Sequence, residues 1–178
     1  MNSLSSSADP LDTLRPGHPR LLITPERIGE LKGRVQHEPL LKELLACFRK
    51  DAEALASAPA LEHILDGPGG WRLLSTSREA LRRILALGIL HHIEPDPART
   101  ALAKEILFTV AAFPDWNPAH FLDTGEMATT VAIGYDWFFE TFTEPERAQL
   151  RQAMVRHALL PAQEGGWWVS ANNNWNPV

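Results

Sequence analysis

The stretch "DWNPAHFLDTGEMATTVAIGYDWFFETFTEPER", residues 115–147, decides the fold class. Its first part is an aromatic and polar linker that ends in Asp123 and Glu126, spaced as a helix N-cap and its partner three residues on. From Met127 to Phe142 the chain is apolar around most of a helical circumference, and such a helix is buried on more than one side. Thr143 and Glu146 repeat the cap-plus-three spacing and open an amphipathic helix expected to stop near Pro161. A helix without a polar face needs helical neighbours, so the rest of the chain is read for what could surround it.

Upstream, Thr24 and Pro25 form a cap and first helical position, and a helix is expected from about Pro25 to Gln36. After Pro39, apolar residues recur at spacings of three and four from Leu40 to Leu55, a second amphipathic helix. The run Leu40 to Phe48 places Cys47, the only cysteine, in a segment that reads as buried. "DGPGGW", residues 66–71, is a loop from which Trp71 is expected to pack back on the body. Thr76 and Glu79 carry a capping-box spacing ahead of a third helix, and Asp96 with Pro97 opens a fourth that ends by Pro114. Six helices and no convincing strand predict an all-α protein in which sequence neighbours form antiparallel hairpins. No strict internal repeat supports a consensus solenoid.

Composition narrows the function classes. The 178 residues, 44% of them hydrophobic, suffice for one domain with a real core or a piece of a larger one. A formal charge of −5 at pH 7 argues against general nucleic-acid binding and against a polybasic membrane surface. One cysteine permits neither an intrachain disulfide nor a cysteine-rich metal site. Residues 1–17 form a polar leader expected to be flexible, without the basic start and apolar middle of a secretory signal, and no run reaches the roughly 18 apolar residues of a membrane span. These features predict a soluble protein, with a cytoplasmic location favoured over a periplasmic one.

Two segments collect polar and aromatic residues outside helix interiors: residues 115–126 and "WWVSANNNWN", residues 167–176. If the fifth and sixth helices are an antiparallel hairpin, the start of one and the end of the other share an end of the molecule. Trp116, Asn117, His120, Trp168, Asn173, Asn174 and Trp175, with Asn176, would then gather on one surface. Indole faces against sugar rings and amides against hydroxyls and carboxylates make a carbohydrate-binding surface. The competing reading makes Trp116 and Trp175 core plugs and the asparagines partners of loop backbone.

Taken together, "HPRLLIT" (residues 18–24), the central block and "WWVSANNNWNPV" (residues 167–178) resemble, in order and spacing, the N-terminal helical domain of the heparinase II/III-like polysaccharide lyases, oligoalginate lyases included. The resemblance runs from about His18 to Val178. It implies part of an (α/α) toroid, with further helices and a C-terminal β-sandwich absent from this chain. It also implies β-elimination at a uronic acid of an anionic polysaccharide or oligosaccharide, with no cofactor in this chain. A proton beside an ionised carboxylate is hard to remove unless donors neutralise that carboxylate, and amides can do so. Matched onto the family's paired asparagines, Asn173 and Asn174 fall in that loop, with Asn174 as the neutraliser. Trp175 stands where a basic side chain would otherwise follow, so the base and a Tyr acid are expected beyond Val178 and this chain alone is expected to be inactive.

Other groups fit lesser roles. Tyr135, the only tyrosine, sits in a helix that reads as buried and is taken as structural; His120 divides between substrate contact and loop hydrogen bonding. His91 and His92 point about 100° apart on a helix and do not make an i, i+4 metal pair. Gly69 and Gly70 lack the strand and Lys–Ser or Lys–Thr of a phosphate loop. Two rivals stand beside the lyase reading: an (α/α)-toroid glycoside hydrolase using Asp123 and Glu126, and a non-enzymatic carbohydrate-binding helical module.

Overall fold

A computed structural model of the protein describes residues 12–170. Among these residues every regular element is helical, and the only strand-like feature is an isolated bridge between Asp66 and Arg72. Three of the caps form as their residue types dictate. Helix α1 (Pro25–Val35) starts where Thr24 Oγ1 accepts from Arg27 N, and α4 (Pro97–Ala111) where Asp96 accepts from Arg99 N at 2.8 Å. Helix α6 (Glu144–Met154) carries a full capping box: Thr143 accepts from Glu146 N, and Glu146 accepts from Thr143 N at 2.8 Å.

Two expected caps do not form. Helix α3 (Leu74–Ile93) begins before Thr76, whose hydroxyl donates to the Glu62 carbonyl. Glu79 instead receives Arg82 and Arg83, and these guanidinium hydrogen bonds pull its carboxyl down to about 2. Helix α5 (Phe121–Trp137) begins two residues before Asp123. A Ser, Thr or Asp followed three residues later by Glu also fits two positions on one face inside a helix, so the spacing by itself does not locate a terminus.

Helix α5 is the centre of the packing, buried from Phe121 and Met127 through Val131 and Gly134 to Trp137. Its main neighbour is α3, and the pairs Leu73–Asp123, Ser77–Glu126 and Gly88–Trp137 advance together, so the two helices run parallel. His91 reaches Thr100 across the α3–α4 turn, an antiparallel hairpin. Tyr135–Arg151 and Trp116–His157 pair in reverse order, so α5 and α6 are antiparallel too. The result is a pair of layers, α3 with α5 and α4 with α6, joined by hairpins. Glycine allows the close approach: a Cβ on Gly88 would lie 2.4 Å from the Trp137 ring, and one on Gly134 2.4 Å from Leu107.

The sixth rod does not stop near Pro161. It passes through a π-helical turn, Val155–Leu159, into α7 (Leu160–Glu164). Pro161 has no N–H, and its ring presses on the carbonyl four residues back; the wide turn just ahead of it relieves that clash without ending the helix.

Cys47 is exposed, contrary to expectation. Helix α2 (Pro39–Leu55) buries only Leu45, Ala52 and Leu55, while Leu40 and Leu44 face outward, because α1 contributes no buried residue to cover them. No helix among the described residues is long and apolar enough to cross a membrane.

Candidate functional site

The site forms where the chain enters α5. Asp115 Oδ1 accepts from Asn117 N at 2.8 Å, and Asn117 takes a left-handed conformation (φ 53°), which asparagine tolerates better than most residues. Pro118 then opens a single 3₁₀ turn, Pro118–His120, that delivers the chain into the helix.

Asp123, fully buried in the first turn of α5, gathers three donors. Its carboxylate accepts from Leu73 N at 2.5 Å, Asn117 Nδ2 at 2.6 Å and His120 Nδ1 at 2.8 Å. A carboxylate only accepts, so Nδ1 of His120 carries the hydrogen and the ring orientation is set. Asn117 Nδ2 also donates to the Trp71 carbonyl at 2.9 Å. One acid therefore ties the 66–72 hairpin, the 115–120 turn and α5 together.

Around this network lies an aromatic rim. Trp71 stands perpendicular to His120, ring centres 4.6 Å apart, and remains 39% exposed. Trp168 stacks on Phe121 at 4.4 Å and 9°. Trp167 is 48% exposed and its indole N–H donates to the Ala119 carbonyl at 3.2 Å. The convergence of the two polar-aromatic segments thus exists as far as the described residues extend.

The residues named from the sequence divide three ways. Asn117 and His120 belong to the Asp123 network and are buried, and Trp168 lies half-buried on the rim. Trp116 is a core residue: it has no exposed surface, its indole donates to the Val110 carbonyl at 2.9 Å, and its ring lies against His157. The sugar contact expected of it has no accessible face to work with. Asn173, Asn174, Trp175 and Asn176 lie outside the described residues.

Sequence reasoning did not place Trp71, Arg72 or Trp167 in the site, and read Asp123 as a cap or, in the rival hydrolase, as a catalytic carboxylate. Trp71 does pack on the body, but by one side, through His120. The signal available in the sequence was an indole directly after a Gly-rich turn, where a side chain has no helix of its own to bury against.

Tyr135 is twelve residues beyond Asp123 on the same helix, about 18 Å away by helical rise, and accepts from Arg151 Nη1 at 3.0 Å. It holds α5 to α6. Asp123 is fully buried with three donors on it, and Glu126 accepts from Ser77 Oγ at 2.7 Å and Arg78 Nε at 3.1 Å, so this pair does not offer the two open, facing carboxylates a glycosidase requires. Among the described residues no three His, Cys, Asp or Glu side chains cluster as a metal site.

A second Asp–His pair sits at the far end of α5. His18 Nδ1 lies 2.5 Å from Asp136 Oδ1, while Arg20 N and Leu21 N donate to Oδ2 at 2.8 Å. His18 also stacks on Phe139, and Trp137 Nε1 donates to the Leu21 carbonyl. "HPRLLIT" is therefore an N-terminal strap bolted to "YDWFF".

No protein-family model and no curated protein matches this chain.

Proposed function

We propose that this chain is the front part of a lyase that cleaves uronic-acid-containing polysaccharides or oligosaccharides by β-elimination. The observation that carries the reading is the meeting of residues 117–121 with Trp167 and Trp168 at one end of α5, which builds a rim of indoles above a polar network. Parallel α3 and α5 backed by parallel α4 and α6 support the arrangement of inner and outer helices in an (α/α) toroid. In this reading the indoles hold sugar rings, Asn174 neutralises the substrate carboxylate, and the proton-transferring groups come from beyond the chain.

The full-length protein is the right test object. Mixed with alginate and heparin-like polymers, it should raise the ultraviolet absorbance of an unsaturated uronate, and Asn174→Ala should lower that rate at least about a hundredfold, as loss of a charge-stabilising donor does elsewhere. Absence of the chromophore with every uronate polymer would overturn the lyase reading. Exposure of Trp167 also favours a second reading, a non-catalytic sugar-binding module, which predicts binding without the chromophore.

A further inference from the structure

The 66–72 hairpin is built more rigidly than a surface loop needs. Asp66 and Arg72 exchange both backbone hydrogen bonds, Asp66 N to Arg72 O at 2.6 Å and Arg72 N to Asp66 O at 3.1 Å. Inside them Gly70 N donates to Gly67 O, and Gly67, Gly69 and Gly70 all take positive φ, a backbone path that residues with a Cβ rarely follow. Two further bonds clamp the hairpin to the site: Asn117 Nδ2 to Trp71 O and Leu73 N to Asp123. Seven residues of Gly-rich chain are thus held on both flanks, and what they hold outward is Trp71 and Arg72.

These two side chains are poised but unfinished. The Arg72 guanidinium lies 5.3 Å from the centre of the Trp71 ring, a cation–π distance. Its Nε is buried and has no hydrogen-bond partner among the described residues, and Arg72 forms no ion pair there. That nitrogen is shielded from solvent, so an incoming acceptor meets the terminal Nη atoms of the guanidinium rather than Nε. The guanidinium fork suits a carboxylate in two-pronged geometry, and the adjoining indole suits the apolar face of a sugar ring. A single hexuronate residue carries both features, close enough together for one ring to span the pair.

We infer that Trp71 and Arg72 form a uronate-reading subsite, in which the indole stacks on the sugar ring and Arg72 binds its carboxylate. The inference rests on the proposed uronate substrate and adds the residues that would tell a charged sugar from a neutral one. Because the hairpin is fixed before ligand arrives, little ordering cost is left for binding. The carboxylate of Asp123 does not compete, since it is fully buried and already accepts from three donors.

The test titrates the full-length protein with a 1,4-linked hexuronate tetramer and with its neutral methyl ester, by calorimetry and tryptophan fluorescence. The free acid should bind more tightly than the ester by about tenfold or more. Arg72→Gln should abolish that preference while leaving ester binding unchanged, Arg72→Lys should restore only part of it, and Trp71→Ala should weaken both ligands. Circular dichroism establishes that each variant is folded. Unchanged acid preference in Arg72→Gln overturns the subsite, as does failure of the parent protein to bind the tetramer. Elimination activity measured alongside separates the two ideas. Activity without an Arg72 effect leaves the lyase reading standing and removes the subsite. An Arg72 effect without elimination supports the subsite and removes the lyase.

Discussion

Helix α5 holds a buried aspartate–histidine pair near each end, and the two pairs have different surroundings. At the start, Asp123 binds His120, three residues earlier in the chain, with the hairpin and Asn117 completing its shell. At the end, Asp136 binds His18 from 118 residues away, and its remaining acceptor capacity goes to backbone N–H groups of the same strap. There the ring is closed off: His18 stacks on Phe139 at 3.7 Å, and the strap tolerates Leu22 at φ 63°, a costly conformation that persists only where neighbours impose it. At the start the ring set edge-to-face with His120 is Trp71, which remains 39% exposed. An Asp–His pair is therefore no indicator of function by itself. The accessible aromatic surface beside it makes the difference, fastening at one end and candidate binding at the other.

The comparison is broken most directly at Asp136. Asp136→Ala leaves His18 and two strap N–H groups without their acceptor, and should cost about 3–5 kcal/mol in urea unfolding. Hydrogen exchange should show the loss concentrated at Arg20 and Leu21 while Leu73 stays protected; uniform loss would mean the strap is not a separate fastening.

Asp123→Asn should cost less, about 1–3 kcal/mol, because the amide keeps the shape and one acceptor but faces donors with an N–H. Its distinctive readout is Trp71: fluorescence should shift toward a wetter environment as the hairpin loosens, a change Asp136→Ala should not produce.

The strap end also predicts a pH response. Burial, aided by the neighbouring His91 and Lys32 charges, pushes the His92 imidazole down to about 4 from an ordinary 6.5, against a smaller opposing pull from Asp136. Its neutral form is favoured by folding, so the unfolded chain binds more protons between those values. This contribution is fully present above about pH 6.5 and is lost as pH falls toward 4. The urea midpoint should drop over that window, and His92→Gln should flatten the drop; an identical profile in the variant would assign it to other groups.

The smallest stability effect belongs to the rim. Trp167→Ala removes a half-exposed ring and its hydrogen bond to the Ala119 carbonyl, and should cost about 0.5–1 kcal/mol, while weakening binding of a uronate tetramer. A large unfolding penalty would show instead that Trp167 is a structural plug.

Much of this architecture was legible because it is written in local spacing. Thr24–Pro25, Asp96–Pro97 and Thr143–Glu146 act within one turn of chain, and each cap formed as its residue types dictate. Thr76–Glu79 and Asp123–Glu126 have the same spacing, but Thr76, Asp123 and Glu126 were claimed by partners some 14 to 50 residues away, which no local pattern reveals, and Glu79 by Arg82 and Arg83 on its own helix. For the site, the meeting of the two aromatic segments followed from one assumption, that α5 and α6 are antiparallel. Which residues face outward did not follow. Trp116 and Trp167 look alike in sequence; one is wholly enclosed by α4 and the sixth rod, the other opens the short 3₁₀ turn Trp167–Ser170 after α7 and is 48% exposed.

From the sequence alone came the all-α class, the order of the helices and the burial of α5 on several sides. These depend on apolar periodicity and on capping, whose reach is one or two turns. The tertiary structure alone decided that α5 lies parallel to α3, that His18 is clasped by Asp136, and that Asp123 serves as a three-way tie. Those outcomes depend on which faces meet. A buried carboxylate takes whatever donors packing brings to it, because leaving any of them unpaired away from water costs more than the chain's local preferences can offset.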